Sequence, residues 1–169
     1  PFNFPLNLVL HKLAPALATR VAAGGVVGRA SGRGFDARSA LPHAPYDRLE
    51  IIPAVLQEGD VDARVRLRVA ELGDSIALLR RLLDEMQPGE TLAPLPQRGG
   101  EGIAAVESFR GEVLTWMALD DGGLIRAVFP RDPSWLQWPL LEAAVEGNIV
   151  ADFPLCNKSF NCSYSGVDL

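Results

Sequence analysis

Cys156 and Cys162 are the residues whose chemistry stands out first, two thiols within the last fourteen positions of a 169-residue chain. Thiolates bind soft metals, but a tetrahedral thiolate site wants a C-x-x-C clip and a second pair of donors. The two cysteines are separated by five residues and no such clip is present. Cys156 follows Phe153 and Leu155, the setting of a small buried hydrophobe, so both thiols are expected to be structural. His11 and His43 are the only histidines, and neither has a second ligand at i+4, which argues against a histidine metal site. His43 reads as a loop residue within Leu41–Asp47.

The stretch GGVVGRASGRG, from Gly24, is neither a G-x-G-x-x-G turn following a strand nor a phosphate loop ending in Lys-Ser/Thr. Its glycine N–H groups, with Arg29 and Arg33, are the ingredients of an anion cradle; the alternative is a tight loop packed against its neighbours. Ser31 lacks the strand-to-helix elbow of an acyl-transfer serine. A net charge of −5 argues against nucleic acid as a partner, because neutralising phosphates needs a basic surface. Lys12 and Lys158 are the only lysines among sixteen basic residues, a bias more in keeping with genome composition than with function. No apolar run approaches the roughly 20 residues of a membrane span, and no export signal is visible. Reduced thiols in the cytoplasm are therefore expected, and the Asn-x-Ser triplets at Asn157 and Asn161 do not read as glycosylation sites. The first residue is proline rather than methionine, so a C-terminal piece of a larger chain is expected.

These residues must be positioned by a few elements. Leu6–Ala23 predicts helix, interrupted near Ala14 or beginning at Pro15, with Gly24–Gly25 as its stop. The five glycines from Gly24 to Gly34 predict a loop over GGVVGRASGRGFDAR. The strongest element is Asp60–Met86. Its apolar residues Val61, Val65, Val69, Leu72, Ile76, Leu79, Leu83 and Met86 fall at spacings of three and four, a single helical stripe. Asp60 supplies the N-cap signal and Pro88–Gly89 the stop. Such a helix is about 40 Å long, too long for a lone domain of this size to cover, so further helices or a partner must pack on it. After a Gly/Pro-rich connection to Gly102, the period shifts to alternation, predicting two or three short antiparallel strands with a hairpin at Asp121–Gly122. Asp132–Asn148 reads as helix with Asp132 as N-cap. The fold class is α+β, mainly helical, with one long amphipathic helix and a small antiparallel sheet.

Taken in order, GRASGRGFDAR, APYD, the long-helix segment GDVDARVRLRVAELGDSIALLRRLLDEM, ESFRGE and NIVADFPLCNKSFNCSYSGVDL resemble the C-terminal half of a known family. Its members are the large subunits of energy-converting nickel–iron (NiFe) hydrogenases, of the formate hydrogenlyase and hydrogenase-4 types. They include the homologous hydrogenase-like core subunit of NADH:quinone oxidoreductase, respiratory complex I. The resemblance runs from about Gly25 to Leu169 and implies the C-terminal domain of such a large subunit. Residues 1–169 would form one C-terminal domain of a larger chain, with the long helix over about 60–87, the β segment over about 102–130 and a C-terminal helix and tail over 132–169.

In nickel-bearing members a C-terminal Asp-Pro-Cys-x-x-Cys supplies two nickel thiolates. Aligned through Tyr164–Ser165, those two positions fall on Ser163 and Gly166, which gives no metal ligand in this chain. The resemblance thus implies a nickel–iron site that has been lost, no cofactor held by this chain, and a 4Fe-4S cluster in a partner small subunit. Arg110–Gly111 matches the arginine step that lies over the metal's open face in hydrogenases, making Arg110 the candidate catalytic residue, with Asp36, Glu107 and Asp152 as candidate carboxylate partners. Arg29, Asp36 and Tyr164 are the candidate cofactor-contacting residues; Tyr164 is expected to hydrogen-bond quinone or, more readily, backbone. Implied partners are the iron–sulfur small subunit, other subunits of a membrane-bound complex and the N-terminal half of its own chain, at the inner face of the cell membrane. Against this nickel-free oxidoreductase subunit stand two alternatives: a non-catalytic scaffold or assembly domain, and an active hydrogenase using Cys156 and Cys162.

Overall fold

The computed structural model describes residues 10–92 and 97–167. Its elements are α1 (Pro15–Arg20), α2 (Gly25–Ala30), α3 (Ala37–Ala40), α4 (Val61–Glu85), β1 (Gly100–Ser108), β2 (Gly111–Leu119), β3 (Ile125–Arg131), α5 (Ser134–Val145) and α6 (Phe153–Phe160). The expected α+β class, long helix and small sheet are all present.

Each boundary has a local cause. α1 opens with Pro15 at its first position, where a missing N–H costs nothing; the part of the expected helix before Leu10 lies outside the described residues. Asp60 caps α4, its carboxylate accepting from Ala63 N at 2.8 Å. The strands form an antiparallel meander in the order β1-β2-β3, Ile103 pairing with Trp116 and Trp116 with Phe129. In the second turn Asp120 Oδ1 accepts from the N–H of Gly122 and of Leu124, both at 2.9 Å, so Asp120 organises the hairpin predicted at Asp121–Gly122. Asp132 accepts from Ser134 N at 2.7 Å, ordering the entry to α5.

One main core joins the two ends of the chain. Leu13, Ala18 and Val27 pack with Leu140, Leu141 and Ala144 of α5 and with Cys156 and Phe160 of α6. A second, smaller cluster sets Val26 and Ala30 of α2 against Ala63 and Leu67 of α4.

The glycine-rich segment departs from expectation, because residues 25–30 are a fully buried helix rather than loop. Glycine is demanded there by contact. Gly25 has φ of 56°, and a Cβ on it would collide with the carbonyl carbon of Arg110; one on Gly28 would collide with Ala23 O. Two backbones touch at these points, and that close approach outweighs glycine's poor helix propensity. The C-terminal segment also holds a helix, α6, that periodicity does not separate from its surroundings.

α4 behaves as its length suggests. Only Val61, Ala63, Arg64 and Leu67 of it are buried. Beyond them its apolar stripe lies open, Leu72 at 62%, Leu79 at 58% and Leu83 at 64% exposed. Among the described residues, no helix is long and apolar enough to cross a membrane.

Candidate functional site

The β1–β2 turn is the point where three separate segments meet. Phe109 O accepts from Val26 N at 3.2 Å, binding the turn to the start of α2. Arg110 reaches the opposite way: its Nε donates to Asn161 O and its Nη2 donates to Asn161 Oδ1 at 3.2 Å. Its guanidinium carbon lies 4.6 Å from the centroid of the Phe109 ring. Asn161 terminates α6 in the left-handed conformation, φ 57° and ψ 40°, which asparagine tolerates better than most residues. That geometry turns the carbonyl and the side-chain amide of Asn161 toward one donor.

Gln137 closes the junction from below. Fully buried in α5, it donates through Nε2 to Arg110 O and, at 3.5 Å, to Gly24 O. Its Oε1 lies 3.8 Å from the Cys162 thiol that donates to it. A single amide thus clasps the α2 entry, the Arg110 turn and the tail.

The carboxylates expected around Arg110 are not its partners. Asp36 and Glu107 belong to Arg29, which is 2% exposed. Arg29 Nη1 donates to Glu107 Oε1 at 3.0 Å and to Phe35 O at 3.1 Å, its Nε donates to Glu71 Oε1 at 2.6 Å, and Asp36 Oδ2 lies 3.6 Å away. Arg38 adds a two-point contact to Asp36 at 3.0 and 2.7 Å. Asp152 makes no ion pair with Arg110. The physical reason is burial: Arg29 lies in the interior and requires those charges, whereas half-exposed Arg110 is served by a carbonyl and an amide.

Within the cluster, burial pushes the Asp36 carboxyl up, but the Arg38 contacts and the charges of Arg38 and Arg29 outweigh it and hold the group below its usual range. Glu107 goes the other way. Burial and the neighbouring Asp36 raise it, and the Ala37 N–H and Arg29 offset that only in part. Neither Arg29 nor Arg33 is free for an anion at the glycine-rich segment, since Arg33 Nη1 donates to Ala23 O at 2.8 Å and its guanidinium stacks on Phe35.

A second buried arginine fixes the tail. Arg64 of α4, 0% exposed, donates to Ser159 Oγ at 2.9 Å, Gly59 O at 2.8 Å and His11 O at 3.1 Å, and packs 4.6 Å from the Phe160 ring centroid. Burial lowers its pKa to about 10. It pins α6 to α4 and so sets where Asn161 emerges.

After Asn161 the tail folds on itself. Ser163 N donates to Ser134 Oγ at 2.9 Å, Ser163 Oγ accepts from Gly166 N at 3.0 Å, and Gly166 O accepts from Trp135 Nε1 at 2.7 Å. Tyr164 Oη accepts from Asn157 Nδ2 at 2.7 Å, so its partner is a side chain rather than backbone, and its ring lies 5.2 Å from that of Trp138.

Ser163 and Gly166, the positions that the resemblance assigns to nickel thiolates, offer no sulfur and do not fit nickel–iron. The hydroxyl of Ser163 is engaged by Gly166, and a Cβ at position 166 would stand 2.6 Å from the Asp132 carboxylate and 2.9 Å from Ser163 Cβ. Cys156 and Cys162 are both buried, and burial pushes each thiol up to about 11. Arg29 and Asp36 are brought together in one cluster, whereas Arg110 meets the tail at Asn161 and Ser163, Tyr164 and Gly166 are held by α5, α6 and one another.

Sequence reasoning missed Arg64 and Gln137, and it gave Asn161, which the resemblance places at the motif's aspartate position, no part in holding Arg110. Only Arg64 left a trace: Val61, Arg64 and Leu67 lie three apart, so an arginine interrupts the face that is in fact buried.

The family profile described as respiratory-chain NADH dehydrogenase, 49 kDa subunit, matches residues 11–99. A carbon monoxide-induced hydrogenase of Rhodospirillum rubrum is 33% identical over 141 residues, covering 81% of this chain and 38% of that protein. Hydrogenase-4 component G of Escherichia coli (strain K12) is 31% identical over 160 residues, covering 91% of this chain and 28% of that protein. A solved chain of the membrane-bound sulfane sulfur reductase, an archaeal respiratory membrane complex, aligns with a TM-score of 0.83 at 27% identity, over 95% of this chain and 46% of that one. The chain thus spans less than half the length of each of these relatives.

Proposed function

The chain belongs to the family of the 49 kDa subunit of respiratory-chain NADH dehydrogenase, and on that premise we propose that it forms part of a hydrogenase-like large subunit that works without nickel. It lines one wall of the redox cavity of a membrane-associated electron-transfer complex, beside an iron–sulfur small subunit at the inner face of the cell membrane. Electron donor and acceptor lie with neighbouring subunits. Within this chain, Arg110 presents a positive charge at the rim of that wall and stabilises negative charge arriving there.

One observation carries the reading: the Arg110 turn is joined directly to the tail at Asn161, two residues before Ser163, while both sulfur positions are closed by Ser163 and Gly166. An arginine held against the tail, close in sequence to two positions without thiolates, supports an electron-handling role without nickel. The names of the relatives, two hydrogenases and a respiratory membrane complex, support the same class.

The test is made on the purified complex holding the full-length protein. Metal analysis is expected to find no stoichiometric nickel, and Arg110→Ala to lower turnover per assembled complex by about a hundredfold, the scale for loss of one positioned charge. Stoichiometric nickel would overturn the nickel-free assignment. Unchanged turnover in an assembled Arg110→Ala complex would favour the scaffold alternative, toward which the open stripe of α4 already points.

A further inference from the structure

Away from the Arg110 junction, a groove of about 370 Å³ lies between residues 50–54 and the middle turns of α4. Ile51 and Pro53 form one apolar wall and Leu78 faces them. The lining carries four carboxylates, Asp36, Glu50, Glu71 and Asp74, against two guanidiniums, Arg38 and Arg81. Both guanidiniums are already matched, Arg38 by Asp36 at 2.7 Å and Arg81 by Glu85 at 2.8 Å. Glu71 is held by Arg29 at 2.6 Å. Glu50 and Asp74 are exposed and make no ion pair among the described residues, so the groove presents unmatched negative charge beside apolar surface.

The backbone supplies a second, independent observation. The chain leaves Leu49 in an extended conformation, φ −109° and ψ 132°, and Pro53 holds the residue before it extended. Residues 50–55 make no backbone hydrogen bond among the described residues; pairing resumes only where Leu56 N donates to Arg29 O at 2.9 Å. Ile52, 75% exposed, stands out from the same stretch. A stretch whose N–H and C=O groups are unpaired can accept an added strand, the mode by which extended peptides bind through main-chain hydrogen bonds.

We propose that this groove is the docking site for an extended, basic segment of a second polypeptide. The segment adds as a strand along residues 51–55, sets an apolar side chain between Ile51 and Leu78, and places an arginine or lysine against Glu50 and Asp74. An extended occupant follows from the unpaired backbone, and a cationic one from the two unmatched carboxylates. This assignment concerns a different surface from the Arg110 junction and does not depend on it.

Hydrogen–deuterium exchange decides the matter, measured on the full-length subunit alone and in its purified complex. The amides of Ile51, Ile52, Ala54 and Val55 are expected to exchange freely in the isolated subunit and at least about tenfold more slowly in the complex. The double variant Glu50→Lys with Asp74→Lys is expected to abolish that slowing without lowering the melting temperature, since both residues are exposed. The matched double reversal Asp84→Lys with Glu90→Lys, which carries the same charge change outside the groove, is expected to leave it intact. Equal exchange in both states overturns the proposal. So does slow exchange in the isolated subunit, which would mean that its own chain covers the groove, and so does slowing that survives the double reversal at Glu50 and Asp74.

Discussion

Arg29 and Arg64 are both buried and are made tolerable by opposite means. Arg29 gathers three carboxylates, Asp36, Glu71 and Glu107, whereas Arg64 has only neutral oxygens and an aromatic face, and its pKa falls to about 10 accordingly. The carboxylate cluster therefore carries a pH dependence in the acid range, where the Arg64 contacts carry none. Asp36 titrates below its ordinary value of 3.8 in the folded protein, so the stability it contributes is fully present above that pH and is lost as pH falls through the folded value. Glu107, raised by burial, works in the other direction: its cost is felt at higher pH and relieved as pH falls toward 4.5. Asp36→Asn in the full-length protein should cost about 3 kcal/mol near neutral pH, because Arg29 and Arg38 lose a buried partner. It should also flatten the loss of stability that the unsubstituted protein shows as pH falls below 3.8. Urea unfolding at several pH values measures both, and an acid limb parallel to that of the unsubstituted protein would remove Asp36 from this role.

At the scale of elements, the long helix and the sheet are legible because each repeats one period over many residues, and the α4 cap because Asp60 stands where the stripe begins. The glycine-rich segment is not. Its composition describes a conformational preference, while its structure is decided by contact with Arg110–Gly111 and Ala23, partners far away or around a tight corner in sequence. The same holds for the junction: Arg110 stands out in the sequence, but its partner Asn161 and its clasp Gln137 lie 51 and 27 residues away, and no local pattern connects them. α2 gives this a measurable form. Gly28→Ala adds one methyl group where Ala23 O leaves no space, so the helix must move off its neighbour. A loss of about 3 kcal/mol is expected, the upper range for overpacking a core. Thermal unfolding checks it, with Gly73→Ala as the control, since a Cβ at Gly73 meets nothing within 4 Å. Equal effects of the two substitutions would show that helix propensity, and not contact, governs α2.

For the molecule as a whole, the balance of covered and uncovered surface is the informative quantity. The cores at the base of α4 and between α5 and α6 are closed, yet the upper stripe of α4 repeats leucine and isoleucine at helical spacing and stays exposed among the described residues. A stripe of that regularity is what a packed helix face looks like, and exposed to water each leucine forgoes about 2 kcal/mol of burial. The 169-residue chain by itself should therefore associate as its concentration rises, seen as a growing mass in light scattering. Replacing Leu72, Leu79 and Leu83 with Glu should keep it monomeric while leaving its helical circular dichroism unchanged, because these residues support no core among the described residues. In the full-length protein the same triple substitution should instead be costly, by several kcal/mol if the rest of that chain covers the stripe, and visible as a lowered unfolding midpoint. The two measurements discriminate. Destabilisation only in the longer chain places the cover within it; no effect in the longer chain but failure of the complex to assemble places the cover on another subunit. A chain that stays monomeric at high concentration without any substitution would show that this stripe needs no cover at all.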